Sequence, residues 1–302
     1  LKQAKTASGD IMASREERKK SEAINAVAEL LRERLPTPEG EHAAEFARLY
    51  YGGVGPEDLL PTAVEDLYGA ALSHWNLCHR RRAGARLIRV YNPAYDENGW
   101  QSTHTVVEIV SDDMPFLVDS VNMVINRHGL TVHLIIHPVI GARRNRRGEI
   151  SAVHPSDAMD EGIGMEAIMR FEVDRQTEIE ALDALSAELE KVLSEVQVTV
   201  EDWQAMRGRL MDIIESLQTE APPLEAEILS EGLDFLRWVW NHHFTFLGCR
   251  TYDQVTEQGE DMLRLVSGSG LGILRHDGEG HFSESFSQIA PHLRTLAPDK
   301  TL

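Results

Sequence analysis

The chain has 302 residues, 42% hydrophobic and 26% charged, with a formal net charge of −19. That is the make-up of an ordinary globular protein. It argues against nucleic acid or an anionic membrane as a partner, since both call for a basic surface. No apolar run approaches the roughly 20 residues of a membrane span.

The two cysteines, Cys78 and Cys249, lie far apart and in no motif. Free thiols in a reducing cytoplasm are the expectation. The start, Leu1-Lys2-Gln3, has neither an initiator Met nor the apolar stretch of a signal peptide, and both ends are expected to be cut from a longer chain.

In chain order, residues 11–35 are helical in period, with Ile24, Val27, Leu30 and Leu31 on one face. "RLPTPEGE" stops that helix. "EHAAEFARLYYGG" predicts a second helix ending at Gly52-Gly53. A short turn leads to a third, lined by Leu67, Ala71, His74 and Trp75. "ARLIRVYNPAY" alternates like a strand, "DENGW" turns, and "THTVVEIVSDD" is a strand of β-branched residues. A helix follows from Pro115, with Leu117, Val121, Val124 and Ile125 as its stripe and Gly129 as its stop. "LTVHLIIHPVIGARR" predicts one long strand, "RRNRRGEI" a basic turn, and "SAVHPSDAMDEGIG" a polar link. "MEAIMRFEVD" is a strand, "TEIEALDALSAELEKVLSEV" a helix and "VQVTVED" a short strand.

Thr103 to Asp202 therefore reads β-α-β-β-α-β, a ferredoxin-like α+β arrangement with both helices on one face of an antiparallel sheet. Further on, "WQAMRGRLMDIIESLQTEA" is a helix closed by Pro222-Pro223, and "LEAEILSEGLDFLRWVWNHH" is another. "FTFLGCRTYDQV" and "DMLRLVSGSGLGILRH" read as strands of a domain that begins here. The expected division is a helical segment 1–84, a βαββαβ domain 85–202, a helical connector 203–243 and the start of a β-rich domain 244–302.

The acidic turn "SDDMPFL" is the candidate site. Asp113 is placed to cap the helix that follows. The N–H groups and positive end of that helix would attract an anion such as a ligand carboxylate. Asp112, Asp113 and Asp119 have no nucleophile or base at a defined spacing, so catalysis by paired carboxylates is disfavoured against a solvated face. His133 and His137 share one strand face, but an i,i+4 pair on a strand spans about 13 Å, too far for one metal. His128 lies near them at the helix end, and His242-His243 ends a later helix, where a cation is favourable. Two basic clusters, Arg80–Arg82 with Arg86 and Arg143-Arg144 with Arg146-Arg147, could each hold an anion, though internal ion pairs are the plainer reading. "SGSGLGILR" matches neither glycine-rich nucleotide motif and reads as a β-turn.

"RVYNPAYDENGWQSTHTVVEIVSDDMPFLVDSVNMVINRHGLTVHLIIHPVI" closely resembles the N-terminal region of the large bacterial NAD-dependent glutamate dehydrogenases, and "LRWVWNHHFTFLGCRTYD" resembles a second segment in the same order. The resemblance implies an ACT-like domain and a non-catalytic regulatory or assembly module. It implies NAD as cofactor of the parent enzyme but none in this stretch, which carries neither the family's catalytic lysine motif nor its Rossmann glycine loop. The parent reaction it implies is oxidative deamination of L-glutamate to 2-oxoglutarate and ammonium.

The resemblance implies partners as well: a second copy, the parent's catalytic part, and an amino-acid effector in the alternative where the domain is a sensor. ACT domains often bind amino acids at the first strand–helix loop, here Asp112, Asp113, Met114, Pro115, Phe116 and Leu117. Many such loops carry glycine after the proline, and Phe116 departs from that pattern. An independent enzyme using Asp112, Asp113 and the histidines is a third reading. A cytoplasmic location is expected.

Overall fold

The structure is a computed structural model that describes residues 2–158, 160–257 and 260–276. It contains two compact units, Leu1–Val192 and Leu193–Leu302.

The first unit opens with α1 (Lys2–Arg34), α2 (Glu39–Gly52), α3 (Pro56–Leu59) and α4 (Val64–Cys78). Then come β1 (Leu87–Tyr91), the single turn α5 (Tyr95–Asn98), β2 (Thr105–Asp112), α6 (Leu117–Arg127), β3 (Val132–Ile136), β4 (Val139–Arg144), β5 (Ile150–Pro155) and β6 (Ile163–Val173). Helix α7 (Ile179–Thr219) begins in this unit.

The strands form one antiparallel sheet in the order β1-β2-β6-β4-β5, with β3 also pairing with β6. The long β2–β6 ladder, from Thr105↔Val173 to Asp112↔Glu166, is its spine. The α+β class and the antiparallel sheet agree with the sequence pattern.

Three expectations change. The predicted strand at 130–144 is two, interrupted at His137-Pro138. Proline has no N–H to give the ladder, and there the Ile168 N–H donates to the Pro138 carbonyl instead, at 3.0 Å. The polar link holds a strand, β5, paired with β4. Finally, "VQVTV" is not a strand: α7 runs straight through it. β1 already occupies the edge of β2 where that strand would have paired. In helical register, Leu185, Leu189, Val192, Thr199 and Met206 make one buried stripe, and burial of such a stripe outweighs a local β-propensity.

The sheet also lacks the open face expected of it. Ile24, Val27 and Leu31 of α1, Phe46 and Tyr50 of α2, and Leu67, Ala71 and Trp75 of α4 share one core with Val110, Ile136, Ile140 and Ile168 of the sheet. On the opposite face Val107, Ile109, Met169 and Phe171 are equally buried, as are the stripes of α6 and α7. His74 sits in the first core, 3.1 Å from the Tyr50 hydroxyl, and burial lowers its pKa to about 4.

The second unit comprises the remainder of α7, α8 (Ala226–Trp238), a π-helical turn Val239–His243, and the short strands β7 (Gly248–Cys249), β8 (Tyr252–Glu257), β9 (Glu260–Leu265) and β10 (Leu271–Gly272). The strands pair as two small antiparallel ladders, β7–β10 and β8–β9. Asp202 accepts from the Gly272 N–H at 2.8 Å and from Arg275 at 3.0 Å, which ties α7 to the β10 turn. The sequence stretch beyond residue 276 lies outside the described residues.

Candidate functional site

β2 ends at Asp112, and the Asp113 N–H adds one more ladder bond to the Met165 carbonyl at 3.0 Å. Helix α6 starts only at Leu117. The expected cap by Asp113 does not form: the N-cap position is Phe116, and no side chain caps the helix. Asp113 is three residues too early, because Met114 and Pro115 prolong the turn. Phe116 turns the chain with φ 72° and ψ 2°, the left-handed region that glycine favours. Its side chain is 51% exposed.

Asp112 is held from behind. Arg81 donates to Asp112 at 2.6 Å and to Glu166 at 2.9 Å. Arg144 grips Glu166 with both prongs, at 2.6 and 2.7 Å. It also donates to the carbonyls of Cys78 and Gly148 at 2.9 and 2.7 Å. Arg81 and Glu166 are almost wholly buried. Burial alone would lower the Arg81 pKa, but the Glu166 and Asp112 carboxylates more than offset this and the net shift is upward. Each basic cluster thus sends one arginine inward, to a shared carboxylate that clamps the β2–α6 turn to the segment after α4. Arg86 reaches Glu190 at 3.0 Å.

In front of the turn lies a concavity of ≈ 170 Å³, lined by Asp113, Met114, Phe116, Leu117, Asp119 and His137 among others. Of the six residues expected here, Asp113, Met114, Phe116 and Leu117 line it, whereas Asp112 is spent on Arg81 and Pro115 lies outside. His137, Val139, Ala167 and Met169 complete the wall. Val139, Ala167 and Met169 come from β4 and β6 and His137 from the break before β4, so only the sheet register brings them to the turn. The His137-Pro138 break was the one local signal.

His128 and His133 each reach one carboxylate. His128 pairs with Glu188 at 2.7 Å. His133 pairs with Asp174 at 2.8 Å and stacks on His104 at 4.3 Å between ring centroids. The Thr131 N–H and His133 hold the Asp174 pKa down to about 2. His137 lies beyond the end of β3, so the pair expected on one strand face is split. Among the described residues no group of three or more His, Cys, Asp or Glu is arranged to hold a metal. Both cysteines are free, and burial pushes the Cys78 thiol well up from its ordinary value.

Among the described residues every strand pairing is antiparallel, so they hold no parallel βαβ crossover of the kind that cradles a dinucleotide. The glycines at 268, 270 and 272 sit in a turn and a two-residue strand. Nothing in the turn supplies a nucleophile or a metal set. What it can do is present an aromatic side chain and a small acidic recess.

Comparison with known proteins adds to this geometry. The family profile described as glutamate dehydrogenase, ACT1 domain, matches residues 46–189. The NAD-specific glutamate dehydrogenase of Halomonas elongata is 35% identical over 263 residues, which is 87% of this chain and 16% of that protein. The protein of the same name from Pseudomonas aeruginosa is 35% identical over 76% of this chain and 14% of its own length. The one from Mycobacterium tuberculosis is 27% identical over 67% and 12%. The chain therefore spans a small fraction of the curated relatives it matches.

Proposed function

Since the chain belongs to the N-terminal, ACT1-bearing region of the NAD-specific glutamate dehydrogenase family, we propose that it is a non-catalytic assembly and regulatory module. The parent enzyme would oxidatively deaminate L-glutamate with NAD elsewhere in its length. The observation that carries the reading is Phe116. An aromatic residue in left-handed backbone costs about 1–2 kcal/mol, and such strain collects where function requires it. Here the strain holds a large apolar side chain outside the core, at the tip of a turn clamped by the buried Arg81 and, through Glu166, by Arg144. That is the form of a contact point for a second copy or for another part of the parent chain. β3 offers an accompanying edge, because among the described strands it pairs only with β6.

Two measurements on Phe116→Gly test this. Glycine relieves the strained backbone but loses a half-exposed ring and some chain entropy, so a net gain of up to about 1 kcal/mol is expected in urea denaturation. Sedimentation equilibrium should show the wild-type chain associating with rising concentration and the variant associating more weakly. A strict monomer at the highest attainable concentration, or an unchanged association constant in the variant, would remove the assembly reading. The second reading, an amino-acid sensor at the same turn, rests on the recess beside Asp113 and the uncapped start of α6. It predicts ligand-induced stabilisation that Asp113→Ala abolishes.

A further inference from the structure

Arg81 and Arg144 turn inward to Glu166, but Arg80, Arg82, Arg143, Arg146 and Arg147 are all exposed. They come from two distant segments that the fold sews together. The Arg81 N–H donates to the Gly148 carbonyl at 3.0 Å, the Ile150 N–H donates to the His79 carbonyl at 2.9 Å, and Arg80 bridges to Glu149. Gly148 permits the approach: its φ is 80°, and a methyl there would fall 2.4 Å from the Arg81 carbonyl oxygen. Carboxylates at this end are engaged already, Glu166 by Arg81 and Arg144, Asp112 by Arg81, Glu39 by His79 and Glu149 by Asn145. Among the described residues the five exposed arginines take no part in these ion pairs, so the two clusters form one patch of unspent guanidiniums.

The other end of α4 carries the opposite charge. Glu57 and Asp58 lie in α3, and Glu65 and Asp66 in the first turn of α4. Glu57, Asp58 and Glu65 are exposed, Asp66 is half-buried, and the nearby Arg170 is taken by Glu172. The arginines begin just after Cys78, the last residue of α4. A helix of 15 residues holds the two ends about 20 Å apart.

We propose that these ends meet between molecules, the arginine patch of one copy docking on the Glu57–Asp66 turn of a second copy. The proposal rests on the assembly reading and names a contact that uses neither Phe116 nor its recess. A surface with net charge −19 repels a long polyanion around any such patch, which disfavours nucleic acid and anionic lipid. A small anion calls for a concavity. None of the five arginines lines the recess at the β2–α6 turn or the cavity of ≈ 270 Å³ beside Trp100 and Arg170. The Asn145–Gly148 turn also spends its donors internally, since the Asn145 Oδ1 accepts from the N–H groups of Arg147 and Glu149 at 2.8 and 3.1 Å. A carboxylate-rich protein surface is what remains. Planar guanidiniums pair with carboxylates two bonds at a time, and the chain itself presents four acidic side chains on one turn. The contact joins two different surfaces, so it is head-to-tail.

Sedimentation equilibrium of the whole 302-residue chain tests it. Exposed ion pairs are individually weak and screened by salt. The association constant should therefore fall about tenfold or more between about 50 mM and about 500 mM NaCl. Arg82→Glu combined with Arg146→Glu should abolish self-association, and so should Glu57→Lys combined with Glu65→Lys. All four side chains are exposed, so both variants should melt near the wild type. Mixed in equal amounts, the two variants should associate again, because the intact turn of one meets the intact patch of the other. Loss in only one variant, or loss in both without recovery on mixing, overturns the proposal. Association that ignores salt and both reversals overturns it too, and if Phe116→Gly weakens that association the assembly reading stands without this contact. If the reversals act and Phe116→Gly does not, the copies meet here and not through Phe116. A chain that stays monomeric at low salt overturns both.

Discussion

Glu166→Ala is expected to destabilise the first unit by about 3–5 kcal/mol, the usual result of removing one member of a buried ion pair. Glu166 is 2% exposed and holds two arginines at once, Arg81 at 2.9 Å and Arg144 at 2.6 Å. Without it both guanidiniums remain in the interior facing only backbone carbonyls and, for Arg81, Asp112. The uncompensated charges, rather than the lost attraction, dominate the penalty. Asp112→Asn should cost much less, about 1 kcal/mol or below, because the Asp112 side chain is 49% exposed and its pair with Arg81 is partly screened by water. Urea denaturation followed by tryptophan fluorescence separates the two cases. Near-equal losses would mean that the clamp is no more than a surface salt bridge.

The clamp also explains why this turn can carry strain. Four charged side chains and a backbone bond from Asp113 to Met165 fix the end of β2 before the chain reaches Phe116. Strained backbone persists only where its surroundings over-determine it. Weakening Glu166 should therefore disturb the turn as well as the fold.

The same substitution at two helical glycines is expected to give opposite signs. A methyl at Gly69, in α4, would fall 2.3 Å from the Trp100 Cβ and 2.7 Å from its Cγ. Trp100 is 2% exposed, and the atoms met are its Cβ and Cγ, which move only with the backbone and not as the far end of a flexible side chain. Overpacking of this kind costs about 1–3 kcal/mol and more than cancels the helix propensity gained. Gly208, in α7, is exposed and meets nothing within 4 Å. Gly208→Ala should therefore stabilise its helix by about 0.5–1 kcal/mol. Thermal unfolding of the two variants checks the pair, and a stabilised Gly69→Ala would show that α4 does not press on Trp100.

Much of this protein is legible one segment at a time. The apolar stripe of α6, the alternation of β1, the β-branched run of β2, and the proline and glycine stops after α1 and α2 are local patterns, and they place those elements where the sequence puts them. The strand–helix junction at Asp112–Leu117 follows from the same patterns. What tertiary structure decided is whatever depends on two distant segments competing for one surface. "VQVTV" has the residues of a strand, but β1 and β6 occupy both edges of β2, so those residues continue α7 and bury Thr199 in its stripe. The histidines at 133 and 137 share a face only on an unbroken strand, and β3 ends at Ile136, at the His137-Pro138 break, so His137 lies outside it. Asp112 and Asp113 look alike in sequence. A buried arginine 31 residues upstream makes one of them a structural anchor and leaves the other at the edge of the recess. The cavity of ≈ 270 Å³ lined by Trp100 and Arg170 among others has no sequence signature at all, since its wall draws on α2, the α3–α4 turn, the 100–104 loop, β3 and β6, which the packing of helices on the sheet alone brings together.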